Sequence, residues 1–96
     1  MNELKTQDRE ALSQTFVTHY HHLGGHLQAI QIVKAHPSLE HAVVKLQLGA
    51  LYQLALFALS ELARVAASPI ELQWVESSTT LRAELEVELS NLQTNA

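Results

Sequence analysis

The chain has 96 residues, enough for one helical domain and too few for two. Hydrophobic residues make up 47% and charged residues 17%, with three glycines and two prolines, which excludes a disordered polypeptide. Six Lys plus Arg stand against ten Asp plus Glu, a formal charge of -4. That acidic balance argues against nucleic-acid binding, which relies on many basic side chains. Without cysteine there is no disulfide framework, thiol nucleophile or thiolate metal site. The start Met1-Asn2-Glu3-Leu4-Lys5 lacks the apolar run of a signal peptide, so the expected location is cytoplasmic.

Three helical segments are expected, about 6–35, 38–67 and 69–92, forming one all-α domain over 1–96, an elongated three-helix bundle. In the first, Phe16, Tyr20, Leu23, Leu27 and Ile30 recur at helical spacing. The stripe keeps its phase through Gly24-Gly25, so one long helix is expected there. The alternative is two shorter helices joined by a Gly-Gly turn, giving four in all. Each glycine costs up to ~1 kcal/mol inside a helix, and close approach of a neighbouring helix would explain the pair. The next boundary falls at Pro37, with His36 or Ser38 as the cap.

The second segment carries no charge between Lys45 and Glu61, and its apolar side chains cover well over half of the helix circumference. Only a strip near Gln53, Ser60 and Arg64 is polar. Such a helix must be buried on several sides. Its glutamines and short uncharged run argue against a membrane span, which needs about 20 predominantly apolar residues. In an isolated three-helix unit this helix would leave an apolar face in water, and the simplest remedy is a two-fold homodimer. The expected interface residues are Leu48, Leu51, Tyr52, Ala55, Leu56 and Leu59.

In the third segment, Ser68-Pro69-Ile70-Glu71 reads as a capping box, with Ser68 as N-cap, Pro69 at N1 and Glu71 at N3. Trp74 and Val75 should anchor its start against the core. Leu81, Leu85, Leu89 and Leu92 form one stripe, and Glu84, Glu86 and Glu88 lie off it as solvated surface or a face for a basic partner. The Ser77-Ser78-Thr79-Thr80 run is a poor helix former that can interrupt the helix, with Ser78 or Thr79 as a second cap.

Four of the six histidines cluster at His19, His21, His22 and His26. On a helix His19, His22 and His26 project to one side. His22 and His26 are spaced i, i+4, so both can reach one zinc, nickel or copper ion, with His19 or an outside carboxylate as third ligand. No Glu follows His22, so the spacing lacks the general base of a metalloprotease. The alternatives are boundary histidines hydrogen-bonded to backbone or water, or an interface that charges and separates between about pH 5 and 7. His36 and His41 read as capping or surface residues.

The run His21-His22-Leu23-Gly24-Gly25 resembles the His-x-Leu-Lys-Gly motif of histidine phosphotransfer domains, which are small helical bundles. The resemblance covers five residues, implies His21 as phosphoacceptor, and places Gly24 where that motif has lysine. Nothing else is arranged for catalysis, and Asp8 is the only aspartate. The function expected from this pattern is therefore non-enzymatic: a regulator, adaptor or chaperone-like protein acting through protein–protein contact. A metal-binding or phosphotransfer module at the histidines is the alternative.

Overall fold

A computed structural model describes residues 12–35 and 41–94. They form four helices, α1 (Gln14–Lys34), α2 (His41–Val65), α3 (Pro69–Ser77) and α4 (Thr79–Thr94), with no strand among the described residues. The fold is all-α and elongated, 52 × 22 × 17 Å. The expected caps at His36 or Ser38, and the stretch 6–11, lie outside the described residues.

α1 begins later than the expected position 6 because Ser13 supplies a start. Its backbone is extended (φ -70°, ψ 154°) and its hydroxyl oxygen accepts the Phe16 N–H at 3.1 Å. The helix then runs unbroken through Gly24-Gly25, as the phase of the apolar stripe implied. The proposed reason for the glycines does not hold, however. Among the described residues, a Cβ built on Gly24, Gly25 or Gly49 would meet nothing within 4 Å, so no described neighbour requires their small size.

α2 is the hub. Tyr52, Ala55, Leu59 and Leu62 are almost completely buried, joined by Leu48 and Ala58, with Phe16, Leu23 and Ile30 from α1 and Leu85 from α4. The three α1 contributors are seven residues apart, one face of a helix in two turns. Both α1 and α4 run antiparallel to α2. The first turn of α1 meets the chain just after α2 through Glu71, and Leu92 of α4 lies beside Ala42 and Leu46. α1 and α4 pack on α2 far more than on each other.

The third expected helix is two. Ser78 breaks it with φ -88° and ψ 2°, while its hydroxyl donates to the Val75 carbonyl at 2.7 Å. Ser77 and Thr79 donate likewise to Trp74 and Glu76 carbonyls, so three successive hydroxyls bond back to the preceding turn. Trp74 and Val75 pack against the core, as expected, and Trp74 sets its ring edge-on to Phe16 (6.0 Å) and Tyr20 (5.4 Å).

The capping box is formed, and its acid does more than cap. Glu71 is 1% exposed. One carboxylate oxygen accepts the N–H groups of Ala67 (3.0 Å) and Ser68 (3.1 Å), and the other accepts the N–H of Ser13 (2.8 Å). Burial alone would push its pKa up, but these donors outweigh burial and hold the carboxyl at about 2, below the ordinary 4.5. The native state thus prefers the anion more strongly than the unfolded chain does. The stabilisation is full above about pH 4.5 and disappears as the pH falls toward 2, about 3 kcal/mol in all.

Two outcomes follow. Glu71→Gln should lower the unfolding free energy at pH 7 by about 2–4 kcal/mol and flatten its pH dependence between 4.5 and 2; urea titrations giving parallel pH profiles for both proteins would refute this role. Gly24→Ala and Gly25→Ala should each raise stability by about 0.5–1 kcal/mol, read as a higher melting temperature. A fall in either variant would mean that the glycines serve a contact.

Candidate functional site

The faces of α2 divide differently from the sequence reading. Of the expected interface residues, Leu48, Tyr52, Ala55 and Leu59 are buried by the chain's own core, and Leu51 and Leu56 are half-buried against it. The side chains left in water are Val43 (41% exposed), Leu46 (77%), Leu54 (46%) and Phe57 (62%), with Ala50 between them. Gln53, Ser60 and Arg64 share this exposed side, so the polar strip noted in the sequence is the C-terminal part of the same face. Arg64 is held to Glu61 one turn earlier by an exposed ion pair that adds little stability. Full burial of a large apolar side chain is worth about 1.5–3 kcal/mol, so the uncovered face forgoes several kcal/mol.

The segment Ala42–Val65 is also long and apolar enough to cross a membrane, with mean hydropathy 1.6 and 28% of the window buried. This corrects the expectation that the run is too short. Counting only the uncharged stretch 46–60 omits the apolar turns on either side, and glutamines alone do not lower the average enough. Length and composition do not separate a span from the core helix of a bundle, and Leu48, Tyr52, Ala55, Leu59 and Leu62 form such a core here.

The histidines do not converge as a metal site. His19 and His22 set their rings edge-to-face at 6.2 Å, but no three His, Asp or Glu side chains come together to hold a metal among the described residues. Because α1 is unbroken through the glycines, His19 and His26 are separated by about 10 Å along the axis. His21 is exposed and turns its ring toward Tyr20. The side chains of His36 and His41 lie outside the described residues.

Two concavities were not foreseen. An apolar hollow of about 290 Å³ lies between α1 and α3, formed by Leu12, Phe16, Val17, Tyr20, Ile70 and Trp74. The second, about 250 Å³, is the groove left where α1 and α4 flank α2. Its walls are Leu27, Ile30, Leu81 and Leu85, and its polar groups include Lys34, Glu84 and Glu88. Tyr52 is at its floor, and Lys34 Nζ lies 5.8 Å from the Tyr52 ring centre. The Tyr52 hydroxyl is the main influence raising the Lys34 pKa, against the opposing effect of burial and with help from Glu88. At hydrogen-bonding geometry that hydroxyl nonetheless has no partner among the described residues, so its pull on Lys34 is an electrostatic contact rather than a formed bond.

A buried hydroxyl without a partner contributes little and costs desolvation. Tyr52→Phe should therefore leave stability unchanged or raise it by up to about 1 kcal/mol in urea unfolding. A loss above about 2 kcal/mol would show that the hydroxyl is bonded.

No known protein family matches the sequence, and no curated protein or solved structure matches the chain.

Proposed function

We propose that this protein is a small non-enzymatic helical protein of the cytoplasm that acts through protein–protein interaction as a homodimer, in the role of a regulator, adaptor or chaperone-like component. The observation that carries this reading is the uncovered stripe of Val43, Leu46, Ala50, Leu54 and Phe57 on α2. Contiguous apolar surface of this kind is characteristic of interfaces, because water contact there is unfavourable along the whole stripe. The interface so proposed is the outward face of α2, in place of the buried residues first considered. Glu84, Glu86 and Glu88 are all exposed on α4, and Glu84 and Glu88, one turn apart on one side, offer an acidic surface to a further, basic partner.

Light scattering at micromolar concentration should give twice the 10.7 kDa chain mass. Replacing both Leu46 and Phe57 by Glu should yield a folded monomer with an unchanged helical spectrum. A wild-type mass equal to one chain would overturn the homodimer. Recovery of the untagged protein in the membrane fraction, released only by detergent, would instead assign the α2 face to lipid.

A further inference from the structure

We infer that the groove between α1 and α4 binds a small zwitterion, an α-amino acid with an apolar side chain. Tyr52 and Lys34 hold its carboxylate, and Glu84 and Glu88 hold its ammonium group. The site is separate from the outward face of α2, because Tyr52 projects about 140° away from Phe57 around that helix. It does not depend on the homodimer.

The tyrosine is what points to a ligand. Its side chain is 2% exposed, and its buried hydroxyl has no hydrogen-bond partner among the described residues. Buried hydroxyls are nearly always bonded, because desolvation without a partner is unfavourable. The buried neighbours in the groove, Ile30 and Leu85, carry no polar side-chain atom. Lys34 stands over the ring with its ammonium 5.8 Å from the centre, and the hydroxyl is the strongest influence on that ammonium. An ammonium only donates, so it cannot take the hydroxyl proton. What the pair lacks is an acceptor. A carboxylate offers two oxygens and accepts from both groups at once. Lys34 is exposed, and its flexible stem can swing to admit a carboxylate to the hydroxyl beneath.

Charge decides what else the ligand carries. Glu84 and Glu88 border the same groove, exposed, and their i, i+4 spacing puts both carboxylates on one side of α4. A simple anion would be drawn to Lys34 and repelled by the two glutamates. A simple amine would be drawn to the glutamates and repelled by Lys34. No ion pair joins Lys34 to either glutamate among the described residues, so opposite charges face one groove without neutralising each other. A molecule with an ammonium and a carboxylate on one carbon sets each end against its opposite. The remaining walls, Leu27, Ile30, Leu81 and Leu85, suit a branched aliphatic side chain. The groove volume of about 250 Å³ is below the range of drug-sized sites, which matches a single amino acid.

L-leucine is the probe, titrated into isotopically labelled protein and followed by NMR. A ligand of about nine non-hydrogen atoms should bind here with a Kd of about 0.1–1 mM. The saturating shifts should centre on the amides of Ile30, Lys34, Leu81 and Leu85. Isocaproate, which lacks the ammonium, and isoamylamine, which lacks the carboxylate, should each bind at least about tenfold more weakly. Tyr52→Phe keeps the ring, so it should lose at least about tenfold in leucine affinity with no fall in melting temperature. Lys34→Gln, a change at an exposed side chain, should lose as much and decides the matter if Tyr52→Phe is destabilised.

Absence of saturable shifts at about 10 mM leucine would overturn the proposal. Equal affinity for isocaproate would reduce the site to an anion contact at Lys34, and equal affinity for isoamylamine to an amine contact at the glutamates. Either result removes the zwitterion. Undiminished binding by a stable Tyr52→Phe protein, or by Lys34→Gln, would do so too, because the carboxylate would then lie elsewhere.

Discussion

The constraint on which the rest depends is the circumference of α2. A helix flanked by two main neighbours can hide about half of its perimeter, and α2 carries apolar side chains over more than that. The chain assigns Leu48, Tyr52, Ala55, Leu59 and Leu62 to its own core, the side that α1 and α4 cover. What remains on the far side is Leu46, Leu54 and Phe57, which stand in water on one face of the helix. Gln53 and Ser60 on that face keep it from being uniformly apolar.

Burial of Glu71 solves a different problem. Each helix start leaves N–H groups without intrahelical partners, and two such starts, those of α1 and α3, come together at one end of the bundle. A single carboxylate answers donors from both, at the cost of being desolvated, and three short bonds offset that cost. The arrangement also fixes where α1 begins. Ser13 gives its N–H to Glu71, its hydroxyl oxygen accepts from Phe16 and its carbonyl accepts from Val17, so all three of its polar groups are committed at the helix start.

Much of this architecture could be read from residues alone. The phase of Phe16, Leu23 and Ile30 through two glycines indicated an unbroken α1, and Ser68-Pro69-Ile70-Glu71 indicated the capping box with its roles. The serine and threonine run marked the interruption at Ser78. What could not be read was which side of α2 faces its own chain. Periodicity locates a buried face only when another face is clearly polar, and here Leu46 and Leu48 are equally apolar while one is 77% and the other 7% exposed. The bond from Glu71 to Ser13 spans 58 positions, beyond any local pattern. For the histidines, spacing indicates pairs only: His19 and His22 set their rings 6.2 Å apart, whereas two turns of unbroken helix separate His19 from His26.

The short α3 shows how unevenly the fold is held together. It makes few tertiary contacts beyond Trp74 and Val75, and its start is secured by a polar knot rather than by apolar surface. α2, by contrast, is gripped along much of its length by interlocked leucine and alanine. Cooperative units of unequal strength open in order of local free energy. On that ground the amides of α3 and the first turn of α1 are expected to exchange with solvent before those of the central rod. Opening at that end would uncover Phe16 and Trp74 while leaving the outward side of α2 undisturbed.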